Sequence, residues 1–576
     1  MAGTVLSDLR LVLVGSLWSF AWLYPFADGP IRDLKNSALF LIATYSALLI
    51  VGLRHLPNRY WILAAFALVV WINNSPNPYF EFKLIGVLGI LVFLTAISFG
   101  LELRESPKML QTFLIAVLLA SAINAIQGIL QWLGLADELY KWMVVPEQRG
   151  TAFGTFRQRN LYATFISVGL IATFWLHHLK KLSTAMSWMV VCLFTMSIAA
   201  SSSRTGLLQV IAISVFGLIW RSMRSKQLTC LMIGQFLVLI MWYCFLPLVA
   251  EMHGVNADSG LLRVAQATED TRLLIWADSI NLISQRPWLG WGWKELNYAY
   301  FVSNFDPRYQ GLIDHAHNLA LHLAVEFGVL VAALLISMCL WLLFTFYRKV
   351  ADLKPLNEKL THVQGEQFSF VILILIVGIH SFLEFPLWHY GFLFLTGSFI
   401  GFLSKTPSLK AIDYRFLSID RFISVISVCS MIVIPIVALY QYERLKLAYS
   451  VSFFDEVAVR NAKITREIEY AQESWLYRSY WEFLQLRSFA IDIVNASEVK
   501  VLAQKQLHFS SGPEVVIPLM RSMWLLNERN ELIRYADRFC QINSSYKEIW
   551  FTSNAGDSMV EFLRRHAKKC SQIGNE

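Results

Sequence analysis

The chain has 576 residues, 56% of them hydrophobic and only 16% charged, with a mean hydropathy of +0.49. That balance excludes a soluble domain of this length, and apolar runs of about 16–25 residues recur along it, the length a helix needs to cross a hydrocarbon core. Lys and Arg number 49 against 41 Asp and Glu, and the net charge of +8 reads as the basic excess of a positive-inside topology, with no nucleic-acid partner implied.

Hydropathy predicts about thirteen transmembrane helices. Their centres lie near Val14, Ser46, Phe66, Ile90, Leu118, Gly169, Val191, Val210, Val238, Ala332, Leu375, Leu395 and Ile432. The first run, residues 11–26, lacks a small-residue cleavage site and is followed by many similar runs, so it reads as a span and not as a removed signal peptide. Arg54/Arg59, Arg104/Lys108, Lys180/Lys181, Arg221/Arg224/Lys226, Arg348/Lys349/Lys354/Lys359 and Lys405/Lys410/Arg415/Arg421 fall on one side, which is assigned to the cytoplasm. The N-terminus is then inside, and an odd number of spans puts the C-terminus outside.

The expected fold is therefore all-α: a polytopic membrane domain over residues 1–440, with residues 251–317 as a large outer loop, and an amphipathic helical C-terminal domain over 441–576. In the tail, "TREIEYAQESWLYRSYWEFLQLR" mixes charged and aromatic residues with apolar ones at helical spacing. Trp276, Trp288, Trp291 and Trp293 in the outer loop suggest that it folds onto the membrane surface. Five cysteines lie in apolar runs and read as small hydrophobes. Cys540 and Cys570 lie in the tail; an oxidising compartment would let them pair, and free thiols are the alternative.

Several polar residues do not fit a purely structural role. Arg204 in "AASSSRTGLL", Arg272 in "EDTRLLIWADSI", Arg286 in "ISQRPWLGWGW" and the pair Arg157/Arg159 around Gln158 lie on the outer side. A planar, permanently charged guanidinium suits a phosphate or diphosphate, although snorkelling at the interface also accounts for any one of them. In "GLIDHAHNLALHLAVEFGVLVA", His315 and His317 precede a helix that Asn318 is suited to start. Asn318, His322 and Glu326 follow at spacings of four and form one polar stripe facing away from lipid.

The H-x-H pair suits zinc, but no H-E-x-x-H and no neighbouring Cys cluster accompany it, so no metal is expected. Histidines bonded to loop carbonyls are a second reading. The third is a general base, because a neutral imidazole can take a proton from a hydroxyl nucleophile. In "LEFPLWHYGFL", Glu384 and His389/Tyr390 bracket Pro386 at the outer ends of two spans; the carboxylate is suited to orient a histidine or meet a sugar, and Tyr390 reads equally as an interfacial belt residue. There is no Gly-rich phosphate loop, G-x-S-x-G or dinucleotide fingerprint, so no cofactor is expected and the donor substrate must carry its own activation.

"SSSRTGLL", "TRLLIWADSINLISQRPWLGWGW", "HAHNLALHLAVEFG" and "LEFPLWHYGF", in this order, resemble the O-antigen ligase superfamily of bacterial envelope glycosyltransferases. "GTFRQRNLYATF", the "LEFPL" turn and the long C-terminal extension are most similar to its protein O-oligosaccharyltransferases of PglL type, among them those that glycosylate type IV pilins. The resemblance implies a multi-pass inner-membrane enzyme facing the periplasm. It would transfer a glycan en bloc from undecaprenyl diphosphate to Ser or Thr hydroxyls of an acceptor such as a pilin-like protein, without metal or nucleotide sugar. It also implies that His317 is the catalytic histidine and that Arg204 and Arg272 bind the diphosphate. Arg286 and Arg159 are further donor-binding candidates. His315 is left as the other candidate base, with His322, Glu326, Glu384 and Tyr390 in support. Gln158 and Asn160 match the family's Gln/Asn element, but Arg159 stands where many relatives have proline, which puts that loop's shape in question. Ligation to lipid A core and repeat-unit polymerisation are the alternatives of like chemistry. A transporter is disfavoured because the polar residues gather at one face.

Overall fold

The computed structural model describes residues 2–25, 30–31, 33–53, 58–73, 76–139, 142–147, 149–219, 226–252, 254, 271–351, 372–404, 414–454, 474–554 and 556–570. Arg54, Arg221, Arg224, Lys354, Lys359, Lys405 and Lys410 lie outside them, as does most of 253–270. The described residues contain helices and no strand, so the protein is an all-α polytopic membrane protein.

Through the membrane portion run α1 (Ala2–Phe20), α2 (Leu34–Val51), α3 (Asn58–Asn73), α4 (Phe80–Glu105), α5 (Pro107–Trp132), α6 (Arg159–His178), α7 (Thr184–Ser201), α8 (Arg204–Ile219) and α9 (Lys226–Met252). After these come α10 (Thr271–Gln285), α11 (Leu296–Val302), α12 (Leu319–Phe327), α13 (Val329–Ala351), α14 (Ile372–Ser381), α15 (Tyr390–Leu403) and α16 (Tyr414–Phe454). The tail adds α17 (Arg478–Ser488), α18 (Ala496–Gln506), α19 (Pro513–Leu525), α20 (Arg529–Ile542), α21 (Ser544–Ser553) and α22 (Ser558–His566). Each expected span centre falls inside a helix. Among the described residues seven are long and apolar enough to cross a membrane, and α8, α14, α15 and the Val329–Thr345 part of α13 are shorter apolar segments. The composition change near residue 440 falls inside the unbroken α16.

Two compact units divide the chain: Met1–Ala65, Leu88–Thr268 and Met338–Leu439 form the first, and Phe66–Val87, Glu269–Ser337 and Tyr440–Glu576 the second. In the first, α6 is the most enclosed helix, with Tyr162, Phe165 and Trp175 fully buried against its neighbours. Local chemistry sets the helix starts: the Ser106 hydroxyl accepts from Met109 N at 3.4 Å with Pro107 next in line, and Ser183 accepts from Met186 N at 3.2 Å. On α15, Gly401 lets the backbone approach α4 so closely that a Cβ would stand 2.0 Å from Ile97 O. Small residues serve this purpose where helices meet in lipid, because lipid tails give no hydrophobic drive between them.

The second unit has one hydrophobic core, and it is shared between the long loop and the tail. Ile275 and Leu282 of α10, Trp291, Tyr300 of α11 and Val325 of α12 pack with Val516 and Met520 of α19, Phe539 of α20 and Leu563 of α22. Polar groups complete the joint. The Arg538 guanidinium donates from Nε to Phe301 O at 3.0 Å, from Nη1 to Phe305 O at 2.7 Å and from Nη2 to Tyr300 O. It thereby satisfies carbonyls left open where α11 ends. Asp278, fully buried on α10, accepts from Arg308 N at 3.0 Å, Tyr309 N at 2.9 Å and Tyr300 Oη at 3.1 Å. Tyr79 Oη donates to Glu482 at 2.9 Å, and Ser479 N donates to Glu81 at 2.7 Å. Cys540 and Cys570, whose pairing the sequence leaves open, are joined as a disulfide with Cα atoms 5.4 Å apart.

Candidate active site

Within the first unit, three of the singled-out motifs converge at the end of the bundle where α6, α8 and α15 begin. The approach to α6 is shaped by two buried amides of α5. Gln131 accepts from Phe153 N at 3.0 Å and Gly154 N at 2.8 Å and donates back to Gly154 O at 2.9 Å; Asn124 accepts from Thr155 N at 3.0 Å. The loop "GTAFGTF" is thus fastened before it delivers Gln158 and Asn160. Arg159 is the first residue of α6, and its guanidinium donates to Thr151 Oγ1 at 2.9 Å, bracing the same loop.

Glu384, buried after α14, accepts from Gln158 Nε2 at 3.4 Å and from Asn160 Nδ2 at 3.1 Å. Asn160 Oδ1 in turn accepts from Ser203 Oγ at 2.7 Å, and Ser203 caps α8 by accepting from Gly206 N at 3.1 Å. Gln158, Glu384, Asn160 and Ser203 therefore form one chain of hydrogen bonds, ending beside Arg204, the first residue of α8. Below it, Thr164 Oγ1 meets His380 Nδ1 and Gln209 Nε2, each at 2.8 Å. A buried polar chain in a membrane domain is costly unless each member is bonded, and its position marks function more often than stability. Tyr390 stands apart from the chain, lining an open cleft with His389 and Asp33.

Coupling across the chain is measurable. Glu384→Ala takes the carboxylate acceptor from two amide donors, and Asn160→Ala removes one of those donors. A double-mutant cycle on transfer activity is expected to show coupling of about 0.5–3 kcal/mol, the range for residues in one network. Strict additivity of the two losses would show that the carboxylate and the amide act separately.

The second unit holds the histidine motif. Its foundation is the turn "RPWLGWGWK", bonded to α12 through Trp291 N to Val325 O at 2.8 Å and Gly292 N to Glu326 O at 2.9 Å. Both crossing points require glycine. At Gly328, with φ +84°, a Cβ would stand 2.1 Å from Trp288 O, and at Gly290, with φ +69°, it would stand 2.5 Å from the Glu326 carbonyl. The Glu326 carboxylate accepts from Lys294 N at 2.9 Å and lies 3.2 Å from His322 Nε2, both groups buried. His322 Nδ1 accepts from Ala316 N at 3.4 Å, which assigns the ring proton to Nε2, toward the carboxylate. Ala316 is the residue between the two candidate bases, so the polar stripe of α12 holds their backbone.

His317 itself has φ +47°, a left-handed conformation that is uncommon for a side chain of this size. Backbone strain of this kind gathers at functional sites, where surrounding structure over-determines it. Asn318 caps α12 by accepting from Leu321 N at 3.1 Å, and the His315 and His317 rings meet edge to face with centroids 3.9 Å apart. Arg272 is half-buried in the first turn of α10, and Arg286 lies over the Trp291 ring at 4.0 Å. Lys294, which motif reading passed over, lies between Asp314 and Glu326, and burial pushes its ammonium toward a lower pKa. Next to it, the buried Glu295 carboxylate meets His508 Nδ1 of the tail at 2.7 Å.

Burial pushes the His315 pKa from 6.5 down to about 4; Asp314 opposes the shift, and His317 adds to it. Between those values the unfolded chain binds a proton at His315 that the folded chain refuses. Stability is therefore full above pH 6.5 and falls as pH drops toward 4, by up to about 3 kcal/mol. Melting of the purified protein at pH 7.5 and 5 is expected to show this loss, and His315→Asn to reduce it. Equal slopes in both proteins would rule out His315 as the source.

Residues 188–336 match the family model described as "O-Antigen ligase", residues 369–550 that of "Virulence factor membrane-bound polymerase, C-terminal", and residues 152–177 that of "Protein glycosylation ligase". The chain is 26% identical over 431 residues to the "General O-oligosaccharyltransferase" of Acinetobacter baylyi, covering 71% of this chain and 72% of that relative. It is 20% identical over 365 residues to the "ComP-specific O-oligosaccharyltransferase" of the same organism, covering 63% and 64%. Arg204, Arg272 and His317 fall in the first matched segment, Glu384, Tyr390 and Arg538 in the second, and Gln158, Arg159 and Asn160 in the third.

Proposed function

The chain belongs to the O-antigen ligase superfamily as a glycosyltransferase of the protein O-oligosaccharyltransferase (PglL) type, and on that premise we propose that it moves a preassembled oligosaccharide en bloc from undecaprenyl diphosphate to Ser or Thr hydroxyls of periplasmic proteins, pilin-like ones among them. The observation that carries the mechanism is His317, held in a left-handed backbone conformation beside His315 and ahead of the Asn318 cap. His317 removes the acceptor hydroxyl proton as that oxygen bonds to the anomeric carbon. The bond from that carbon to the diphosphate oxygen breaks, and the lipid diphosphate leaves with the electron pair. The imidazolium then returns its proton to water. Arg204 and Arg272 are assigned the charge that grows on the leaving diphosphate, the role of preorganised donors, and Arg286 is a further donor-binding candidate. The Gln158–Glu384–Asn160 chain fixes the loop beside Arg204.

The enzyme sits in the bacterial inner membrane with this chemistry on the periplasmic side. The Cys540–Cys570 disulfide supports that placement, because such bonds persist in oxidising compartments. The matches described as ligase and polymerase favour a second acceptor class, lipid A core or a growing repeat-unit chain. The test is to express the chain with a lipid-linked glycan and a pilin-like acceptor and to read the acceptor's intact mass. A glycan-sized increment supports protein transfer; glycan on lipopolysaccharide instead supports ligation.

A further inference from the structure

In the second unit the two candidate bases ride on an irregular segment. Residues 303–318, between α11 and α12, form no helix, so their backbone groups must be held by side chains or water. Asp278 accepts from Arg308 N and Tyr309 N, and His322 Nδ1 accepts from Ala316 N. A further tie lies two residues ahead of His315. Asn297, half-buried in the first turn of α11, donates from Nδ2 to Ile313 O at 3.2 Å, while its Oδ1 accepts from Ser511 N at 3.0 Å.

An Asn in the first turn of a helix ordinarily bonds its own turn. Here both partners are remote, at separations of 16 and 214 residues. They also fix the amide's orientation: turned over, it would set its NH2 against the Ser511 N–H and its oxygen against the Ile313 carbonyl. Ser511 belongs to the stretch that joins α18 to α19, and that stretch meets the start of α11 at two other residues. His508 Nδ1 lies 2.7 Å from Glu295, and its ring stacks on Tyr298 with centroids 3.9 Å apart. Of these three contacts, the one through Asn297 is handed on to the histidine segment. Ile313 is itself buried in the core that loop and tail share, so its carbonyl and its side chain are both held.

We propose that Asn297 is a positioning residue for glycan transfer: its amide joins the tail at Ser511 to the histidine segment at Ile313. Together with His322 on Ala316 N it fixes both ends of the stretch that carries His315 and leads into His317. The assignment rests on the reading of His317 as the base. A displaced base costs the chemical step more than it costs binding, because the reacting atoms must be held in near-attack geometry.

The test uses the full-length protein in nanodiscs with two variants that separate the bonds. Asn297→Asp keeps an acceptor for Ser511 N but sets an oxygen against Ile313 O, whereas Asn297→Ala removes both bonds. Hydrogen exchange is read on peptides spanning 311–318 and 507–512. Exchange is expected to quicken roughly 10-fold at 311–318 in both variants, and at 507–512 in Asn297→Ala alone, the worth of one hydrogen bond. In both, kcat is expected to fall roughly 10-fold, with KM for the lipid-linked donor within about twofold of wild type. Wild-type exchange at 311–318 in Asn297→Asp would overturn the assignment, as would wild-type kcat in a variant that has lost protection there. A loss carried by KM alone would also overturn it, since Asn297 would then serve binding. If wild type transfers to no acceptor, the reading of function fails and the base role with it. The exchange comparison needs no turnover and still decides whether Asn297 joins the tail to the segment.

Discussion

His317→Ala is expected to remove glycan attachment from the acceptor, lowering the rate about 10²–10⁴-fold, the usual contribution of a positioned general base. The expectation rests on more than the presence of an imidazole. His317 adopts its left-handed backbone while Ala316 N is bonded to His322 Nδ1 and Asn318 caps the helix that follows. The ring is therefore aimed by a turn the chain works to maintain. Intact mass of the acceptor, with donor in excess and membrane levels of enzyme matched by blot, reads the loss directly. His315→Ala separates the two rings. Because burial lowers the His315 pKa to about 4, His315 is a weak base, and its loss is expected to reduce the rate less than the loss of His317. The reverse order would give the base role to His315. Full activity in both variants would remove the histidine mechanism altogether.

What could be read in the sequence followed from short-range chemistry. Apolar runs located the spans, and the four-residue spacing of Asn318, His322 and Glu326 placed them on one helical face. The structure carries that spacing further: Glu326 and His322 meet, and both are tied to the loop through Lys294 N and Ala316 N. Within the described residues the positions of α8, α14 and α15 match the apolar runs. The convergence of Gln158, Asn160 and Glu384 had no local signal, since more than two hundred residues separate the amides from the carboxylate. Asp278, Glu295 and Arg538 resemble ordinary helix-face charges in a sequence; only the tertiary fold reveals that each is buried and bonded to distant backbone or side chains.

The same gap explains why the tail reads differently once folded. Composition sets the tail off as an amphipathic helical domain, and its α19, α20 and α22 share a core with the loop that carries the histidines. Arg538 is the polar centre of that joint, bonding the carbonyls of Tyr300, Phe301 and Phe305. Arg538→Ala is expected to leave these carbonyls without partners and to destabilise the second unit by several kcal/mol, at about 1.5–3 kcal/mol for each hydrogen bond to a charged group. Arg538→Lys should recover only part of this, because a single ammonium on a flexible stem cannot reproduce a planar fork of donors. Hydrogen exchange of peptides spanning residues 296–318 is the direct readout. Protection should fall in Arg538→Ala, fall less in Arg538→Lys, and be accompanied by lost transfer although every catalytic side chain remains. Unchanged exchange together with lost activity would instead make the tail a contributor to binding, since the loop would then hold its shape without Arg538.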